Sequence, residues 1–496
     1  MKLSIRLTVA LSLMLLPGLL QLNILCAQVD TVKIDWEKTL MTSKTTPTLQ
    51  VVTNPMLQRG ASIHNASFKA LQEIGADYVR FVPWFPYSRM AVMELHPPTK
   101  DKTFWDFSEI DPMVDDFMGA TKGHSVVMNF STIPVWMFQT ADPVPLMENL
   151  DMPHWRYNQG AVLKDTTLKQ VADYFERVFS WYTKGGFTDE LGQFHKSDHH
   201  YHFSYWEVLN EPDLEHHLSP EAYTSIYDAI VLRLKKISPE TKFVGLSLAH
   251  ETNPAYFEYF LNPANHNPAV PLEGISYHFY ARPNFNGQSI GVYNHLFFEQ
   301  ANGFLDRVRY IESIRKRLAP EVFTQINEIG SMTSGHDYES PIPDAYWNLS
   351  GAVYAYLYIE LTKLGIDVAG ESQLVGYPSQ FPSVSMINWT TGKPNARFWV
   401  LKLIQSNFGP GDRLVSTYRK FPQVAMQAFV TSKGKRLLMV NKSDSSRTVQ
   451  LPQAATGVEA EMVDVKSGDG PARKIMLGQP KLVLPPFSVT VISFKN

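Results

Sequence analysis

The sequence predicts an α/β protein, a (β/α)8 TIM barrel followed by a C-terminal antiparallel β-sandwich, and three observations support this fold. Short apolar runs alternate with amphipathic segments about eight times between residues 76 and 407, as in a closed parallel barrel. No glycine-rich nucleotide turn follows any early apolar run, which disfavours a doubly wound open sheet. After about Pro410 the chain changes to short alternating segments separated by turn residues, as in a sandwich.

The predicted strands are short and rich in β-branched and aromatic residues. In chain order they are residues 76–84, 124–131, 202–210, 242–248, 274–280, 323–329 and 366–372. The predicted helices carry apolar residues at helical spacing. They are residues 167–184, 219–237, 302–318, 343–364 and 395–408. Ser219 is the expected N-cap of the second predicted helix, with Pro220 in its first turn.

These segments divide the chain into four parts. Residues 1–27 read as a signal peptide, and residues 28–50 form an N-terminal segment outside the barrel pattern that can add a strand to the sandwich. Residues 51–409 form the barrel and residues 410–496 the sandwich. Active sites of such barrels lie at the carboxyl ends of the strands, so we expect any catalytic groups in the barrel, residues 51–409.

The first 27 residues have the pattern of an export signal. Lys2 and Arg6 precede an uncharged, largely apolar run that ends at Ala27, a small residue before a cut near Gln28. The run is longer than a minimal signal core, so an uncleaved membrane anchor is the alternative. Cys26 follows a large residue where a lipoprotein signal has a small one, which favours cleavage over lipidation. We therefore expect an exported protein, secreted or periplasmic.

Composition and charge narrow the possible partners. The formal net charge is −3, which gives no reason to expect nucleic acid or a polybasic membrane contact. Cys26 is the only cysteine, so a cleaved chain has no disulfide, thiolate metal site or cysteine nucleophile. The histidine-rich stretch 195–202 matches no zinc-site spacing. We predict no metal and no cofactor, and a metal-dependent hydrolase that uses this stretch remains a competing hypothesis.

Two acids lie at the ends of predicted strands. Glu211 follows the apolar run 205–209 within Asn-Glu-Pro, and Glu328 ends the strand 323–329. Their spacing of 117 residues is close to three strand–helix units, so the two acids lie on opposite sides of the barrel mouth if they end the fourth and seventh strands. A facing carboxylate pair can hydrolyse a glycosidic bond, because one acid protonates the leaving oxygen and the other attacks or directs water. The alternative for Glu211 is an N-cap or loop acid.

Several segments resemble clan A glycoside hydrolases, and most closely glycoside hydrolase family 39, which includes β-xylosidases and α-L-iduronidases. The similar segments are YVRF near Arg80, FSTIPVWM (130–137), WEVLNEPD (206–213), ISYHFY (275–280), QINEIGS (325–331) and TGKPNARFWVLKLI (391–404). The resemblance covers the barrel and, more weakly, the sandwich. It implies that Glu211 is the general acid/base and Glu328 the nucleophile of a retaining double displacement.

Four further polar residues are candidates for substrate binding. We expect Arg80, assigned to the first strand, to be the cation beside Glu328, the alternative being a surface ion pair. Asn210 is expected to donate to the 2-hydroxyl of the sugar, the alternative being a turn-forming asparagine. His278 and Tyr280 alternate on the sixth strand and either can hydrogen-bond Glu328. The alternative is that His278 is a core histidine with its hydrogen bonds satisfied inside the protein and that Tyr280 only packs in the core.

Two tryptophans are candidates for stacking on a sugar ring. Trp136 follows the third strand and Trp389 lies in the loop after the eighth, although a role in the core competes for both. Trp84 and Trp206 are expected to pack the barrel instead.

The predicted function is an exported retaining glycoside hydrolase, xylosidase-like, that acts on oligo- or polysaccharides. One alternative is a non-catalytic carbohydrate-binding protein on a glycosidase scaffold. The other is a uronic-acid-specific glycosidase, for which Arg89 and Arg282 are candidate ligands of the sugar carboxylate. The presence of both Glu211 and Glu328 argues against a disabled hydrolase.

Overall fold

The computed structural model describes residues 30–146, 149, 152–157, 160–333, 342–378, 381–419 and 422–495. The expected signal peptide lies outside these residues, and its cleavage stays a prediction. Within the described part of the chain, no helix has the length and apolar character needed to cross a bilayer.

Eight parallel strands close into a barrel. The strands that precede the sandwich segment are β1 (Asp30–Thr31), β2 (Lys33–Thr42), β3 (Thr46–Val52), β4 (Val79–Val82), β5 (Val126–Met128), β6 (Gly186–Thr188), β7 (Phe194–Lys196), β8 (Tyr205–Glu207), β9 (Lys242–Leu248), β10 (Gly274–Ala281), β11 (Phe323–Ser331) and β12 (Val368–Glu371). The barrel contains β3, β4, β5, β8, β9, β10, β11 and β12 in that order, with β12 paired back to β3. The predicted (β/α)8 fold is therefore confirmed.

The first barrel strand, β3, corrects the predicted domain boundary. The apolar pattern predicts a barrel that begins at residue 51, whereas β3 spans Thr46–Val52. Pro47 and the polar side chains of Thr48 and Gln50 interrupt the apolar pattern, yet both polar residues are buried inside the protein. Arg80 therefore lies on the second barrel strand and not on the first, whereas His278 and Glu328 lie on the sixth and seventh strands as expected.

Helices follow the strands around the barrel. They are α1 (His64–Ile74), α2 (Asp111–Ala120), α3 (Lys169–Lys184), α4 (Pro220–Ile237), α5 (Pro254–Phe260), α6 (Tyr293–Leu318), α7 (Asp344–Leu364) and α8 (Ala396–Asn407). The hydroxyl of Ser219 accepts a hydrogen bond from the backbone N–H of Ala222 at 3.2 Å, so the predicted N-cap of α4 is confirmed. The helix α6 begins nine residues earlier than predicted, because its first turns bury Tyr293, Phe297 and Phe298.

The sandwich consists of two sheets. Its C-terminal strands are β13 (Arg413–Tyr418), β14 (Val424–Thr431), β15 (Gly434–Asn441), β16 (Arg447–Gln450), β17 (Glu459–Val463), β18 (Arg473–Met476), β19 (Lys481–Leu484) and β20 (Val489–Ser493). A seven-stranded antiparallel sheet has the order β18-β17-β20-β15-β14-β13-β2, and a three-stranded sheet has the order β1-β16-β19. The short pair of β1 and β16 is parallel. The N-terminal segment therefore supplies one strand to each sheet.

The central strand β15 of the seven-stranded sheet is buried on both faces. On β15, Leu437 and Met439 belong to the core between the two sheets, whereas Leu438 and Val440 belong to the core that includes the barrel. Successive side chains of a strand point to opposite faces, so one sheet can serve both cores. The sandwich is thus joined to the barrel through a shared apolar core.

Candidate active site

A cavity of about 650 Å³ lies at the carboxyl ends of the barrel strands. Active sites of (β/α)8 proteins lie at this end, because loops there can vary without disturbing the barrel. The lining comes from β3, β10 and β11 and from the loops after β4, β5, β8, β9 and β12, among other segments. The predicted site residues in this lining are Asn210, Glu211, His278, Tyr280 and Glu328.

Glu211 and Glu328 face each other in this cavity. A carboxylate oxygen of Glu211 and one of Glu328 lie within 4.8 Å of each other. Retaining glycosidases hold their two carboxyl groups about 5–5.5 Å apart, whereas inverting enzymes need about 6.5–9.5 Å to fit a water molecule. The observed separation suits direct attack by one of the two carboxylates.

An unusual backbone conformation orients Glu211. Leu209 and Glu211 have φ angles of 63° and 42°, and Leu246 and Ser247 on the adjacent strand have φ angles of 73° and 49°. Such left-handed conformations cost non-glycine residues about 1–3 kcal/mol each and concentrate at functional sites. The N–H of Glu211 donates to the carbonyl of Ser247 at 2.9 Å, which ties the two irregular strand ends together.

Glu328 is surrounded by hydrogen-bond donors. Arg80 Nη1 donates to Oε1 at 2.6 Å, the Tyr280 hydroxyl donates to Oε2 at 2.6 Å, and His278 Nε2 lies 3.6 Å from Oε1. Burial alone would raise the pKa of Glu328, but the positive charges of His278 and Arg80 and the hydrogen bonds outweigh burial and lower it. Glu328 is therefore ionised at neutral pH, as a nucleophile must be.

Glu211 has the opposite environment. Burial raises the pKa of its carboxyl group, the charge of Glu328 adds to this effect, and His278 opposes it without cancelling it. His278 Nδ1 lies 2.8 Å from Glu211 Oε1. Although burial would lower the pKa of His278, the charge of Glu328 and the contact with Glu211 raise it. The two acids thus divide into a proton donor and an anion.

Arg80 connects the reacting acids to the barrel interior. The side chain is fully buried, and besides Glu328 it donates to Gln50 at 2.6 Å, to Asn210 Oδ1 at 2.7 Å and to Ser247 at 3.1 Å. Its Nε atom donates to Glu207 Oε2 at 2.5 Å. Arg80 is therefore the cation beside Glu328, as predicted.

Glu207 is a buried acid that the sequence pattern did not single out. Its carboxylate accepts hydrogen bonds from Arg80, Asn129, Ser276 and Asn327, four residues on four different strands or strand ends. A buried carboxylate persists only with such pairing. Position 207 lies within an apolar run, so the only local sign of this role was a charged residue in a predicted core strand.

The aromatic wall of the cavity differs from the predicted one. Trp136 donates to the backbone carbonyl of Glu94 at 2.8 Å, and both Trp136 and Trp389 pack against the barrel core. Neither is among the described residues that line the cavity. The prediction that these two tryptophans stack on a sugar is therefore replaced by the competing core role.

Three of the aromatic rings that line the cavity, Trp84, Trp155 and Phe381, come from three different loops. Trp84 and Trp155 contact each other edge to face with centroids 5.4 Å apart, and Phe381 lies 6.1 Å from Trp84. Trp155 is 43% exposed, so its ring is available at the mouth of the cavity. Trp206 is buried in the barrel core as expected, but Trp84 is not confined to packing.

Asp213 fixes the loop that carries Glu211. Its carboxylate accepts hydrogen bonds from the backbone N–H groups of Ala249 and His250 at 3.0 and 2.9 Å. These bonds tie the loop after β8 to the loop after β9. The motif around Glu211 was recognised from the sequence, but this cross-link between two loops carries no local signal.

The histidine-rich stretch 195–202 engages neighbouring acids instead of forming a cluster. His195 pairs with Asp189 at 2.8 Å, and His199 lies 3.3 Å from Asp111. Within the described residues, the group of histidine and acidic side chains close enough to share a metal ion is Glu211, His278 and Glu328. The guanidinium of Arg80, 2.6 Å from Glu328, already supplies a positive charge there and disfavours a cation.

No protein-family model matches the chain, and no curated protein matches it either. Solved structures do match over nearly its whole length. A GH51 arabinofuranosidase from Xanthomonas axonopodis pv. citri is 11% identical with a TM-score of 0.64, covering 94% of this chain and 100% of its own. A GH30 endoxylanase from Clostridium papyrosolvens is 12% identical with a TM-score of 0.57, covering 95% and 100%.

A glucosidase from Croceicoccus marinus is also similar, at 13% identity with a TM-score of 0.59, covering 94% of this chain and 98% of its own. At such identities the likeness establishes the fold alone. The barrel with an appended β domain is thus shared with glycosidases of families 51 and 30. The finer resemblance to family 39 stays a prediction.

Proposed function

We propose that the protein is a retaining glycoside hydrolase that cleaves O-glycosidic bonds of oligo- or polysaccharides. The observation that carries this proposal is the pair Glu211 and Glu328, whose carboxylate oxygens lie within 4.8 Å of each other while their pKa values are shifted in opposite directions. Structural neighbours named as glycosidases add support at the level of the fold. The resemblance to clan A glycoside hydrolases assigns the same two residues as acid/base and nucleophile.

The reaction proceeds in two displacements. Glu328 attacks the anomeric carbon as the bond to the leaving oxygen breaks, and Glu211 gives its proton to that oxygen. A glycosyl ester of Glu328 results. Glu211, now ionised, removes a proton from water, whose oxygen attacks the anomeric carbon and releases Glu328. The anomeric configuration is retained because it is inverted twice.

Neighbouring residues prepare this reaction. Asn210 Oδ1 accepts from Arg80 and its Nδ2 atom donates one hydrogen to Glu215, which leaves the second amide hydrogen to donate to a sugar hydroxyl. The Tyr280 hydroxyl also contacts Ser372 at 2.5 Å, which holds the ring while it donates to Glu328. Groups fixed in this way before substrate binds need little rearrangement in the transition state.

The charge pattern supports a neutral, xylosidase-like sugar over a uronic acid. Arg80 is occupied by acidic and amide acceptors, Arg307 pairs with Glu251, and His250 pairs with Asp213. Arg282, the remaining arginine among the described residues that line the cavity, is exposed. A sugar carboxylate at the polar end of the cavity would therefore meet acids without a free buried cation. Neighbours named as an arabinofuranosidase and an endoxylanase also support a pentose substrate.

We also propose that the protein acts after export, where polysaccharide is available. Lys2, Arg6 and the apolar run that follows support export. A carbohydrate-binding protein without activity is the alternative function. The retained acid pair and its opposed protonation states weigh against it.

A panel of aryl glycosides tests the proposal with the wild type and Glu211→Gln. The variant should lose about 10²–10⁴-fold in kcat/KM when the leaving group is a poor one, because it cannot protonate the leaving oxygen. Glycosides of acidic phenols, such as dinitrophenol, need little protonation and should be affected least in the glycosylation step. A loss of equal size across all leaving groups would contradict the assignment of Glu211 as the acid.

The pH dependence of the same reaction provides a second measurement. Glu328 must be ionised and its pKa is lowered, so the acid limb of kcat/KM should lie below about pH 4.5. Glu211 must be protonated and its pKa is raised, so activity should fall only as the pH rises through that raised value. Glu211→Gln should keep the acid limb and lose the alkaline limb.

Metal removal separates this mechanism from that of a metal-dependent hydrolase. Dialysis against EDTA should leave kcat/KM unchanged, because carboxylates and Arg80 supply all the charges that the two displacements require. The measurement is a rate assay before and after chelation, with Zn²⁺, Mg²⁺ or Ca²⁺ added back. Loss of activity that one of these ions restores would refute the proposed chemistry.

A further inference from the structure

A third acid, Glu215, lines the cavity beside the two reacting acids. Its backbone N–H donates to the carbonyl of Glu211 at 2.7 Å, so one turn of chain separates the two residues and brings both side chains to the cavity. Glu215 is 8% exposed. The double-displacement mechanism uses two carboxyl groups, so it does not explain the presence of this third one.

One oxygen of Glu215 is fully engaged. Oε1 accepts hydrogen bonds from Trp84 Nε1 and from Asn210 Nδ2, each at 2.7 Å. Asn210 in turn accepts from Arg80 through its Oδ1 atom, so Glu215 and Arg80 together fix both ends of the amide. Glu215 therefore joins the polar half of the cavity to its aromatic wall.

The other oxygen of Glu215 has no partner among the described residues. Oε2 is buried and makes no hydrogen bond. A buried polar atom without a partner is costly and uncommon in folded proteins. Because the side chain lines the cavity, a bound ligand is a natural source of the missing hydrogen bond.

The charge on Glu215 follows from its surroundings. Burial, and then the negative charge of Glu211, raise the pKa of Glu215 well above its usual value. Three carboxylates in one cavity cannot all ionise. A protonated Glu215 offers a ligand an O–H donor and leaves the negative charge of the site on Glu328.

We propose that Glu215 is a specificity-determining residue, whose Oε2 atom hydrogen-bonds one hydroxyl group of the sugar unit held between Glu211 and Glu328. This inference rests on the proposed glycosidase function and extends it to a defined contact with the substrate. A site built to hydrogen-bond a hydroxyl rejects analogues that lack it, because its own polar group is then left unpaired. Glu215 thus selects for a hydroxyl at one position of the ring.

The experiment combines two variants with a set of substrates. Wild type, Glu215→Gln and Glu215→Leu are assayed on the 4-nitrophenyl glycoside that the wild type cleaves best and on its monodeoxy analogues. Gln keeps an acceptor for Trp84 and Asn210 and a donor at the Oε2 position, so kcat/KM should fall by less than about tenfold on the parent substrate. Leu should lower it by about 10²-fold or more.

The deciding result is specific to one position of the sugar. For the wild type, one deoxy analogue should have a much lower kcat/KM than the parent substrate, and we call this ratio the deoxy penalty. The penalty at that position should shrink at least about tenfold in Glu215→Leu, because the contact is already lost. Penalties at the other positions should be unchanged. If Glu215→Leu does not fold, Glu215→Gln decides, since a changed donor should alter the penalty at that same position only. The inference would be overturned if the deciding variant, Glu215→Leu or otherwise Glu215→Gln, had the same deoxy penalties as the wild type at every position.

Glu94→Gln is the matched control. Glu94 is also a buried glutamate with one unpartnered oxygen, but it is not among the described residues that line the cavity. Burial raises its pKa to about 8. This variant should leave kcat/KM and all deoxy penalties unchanged, and a position-specific change there would count against a contact through Glu215.

Failure of the inference can be told apart from failure of the proposed function. An active wild type without position-specific coupling overturns the Glu215 contact alone. A wild type that cleaves no glycoside overturns the proposed function and this inference with it, and calorimetric titrations with xylose, arabinose, glucose and glucuronic acid then test the alternative of a carbohydrate-binding protein.

Discussion

Glu328→Gln should abolish hydrolysis, with a loss of roughly 10⁴–10⁶-fold in kcat on every aryl glycoside that the wild type cleaves. The carboxylate is held as an anion by Arg80, His278 and Tyr280, and an amide in its place can neither attack nor carry negative charge. Leaving-group quality should not rescue this variant, in contrast to Glu211→Gln. The measurement is initial rates and burst amplitude with a dinitrophenyl glycoside.

Azide distinguishes the two acids by stereochemistry. In Glu328→Ala, azide can occupy the space of the lost carboxylate and attack the anomeric carbon once, which yields a glycosyl azide of inverted configuration. In Glu211→Ala, azide replaces water in the second displacement and yields the retained product. Glu94→Gln, assayed in parallel, should match the wild type. A Glu328→Gln variant with wild-type turnover, or exchanged azide products, would refute the assigned roles.

Arg80→Met should have the largest effect on stability. Arg80 and Glu207 are fully buried and Glu328 is 6% exposed. Removing one partner of a buried ion pair leaves uncompensated charge and costs about 3–5 kcal/mol of unfolding free energy. Chemical denaturation followed by circular dichroism measures this loss.

The same variant should also change the pH profile. Without the guanidinium, the pKa of Glu328 should rise, so the acid limb of kcat/KM should move to higher pH. The stabilisation that Glu328 gains from its low pKa is present above the unfolded-state value of about 4.5 and is lost as the pH falls through the folded-state value. The part of the destabilisation that arises through Glu328 should therefore shrink in acid.

Arg315→Met serves as the control for Arg80→Met. Arg315 pairs with the buried Glu312 at 2.8 Å on α6. Neither residue is among the described residues that line the cavity. This variant should lose stability without moving the acid limb. An unmoved acid limb in Arg80→Met as well would show that Arg80 does not set the protonation of Glu328.

The sequence by itself determined the alternation of strands and helices, the sandwich after about Pro410, and the two acids at strand ends. Periodicity reports which side of an element is buried: the apolar spacing predicts a helix over residues 167–184, and α3 there buries Val171, Tyr174, Phe175 and Val178. Glu211 and Glu328 were recognisable because a charge at the end of an apolar run conflicts with burial unless the strand ends at a site.

Only the tertiary structure decided which polar and aromatic side chains meet in the cavity. Gln50 lies on a strand whose apolar pattern is broken by polar residues that become buried only when the barrel closes. Trp84 rather than Trp136 joins the cavity wall because loop direction depends on contacts distant in sequence. The left-handed backbone at Glu211 and the free oxygen of Glu215 are likewise fixed by neighbours on other strands and loops, which no local pattern encodes.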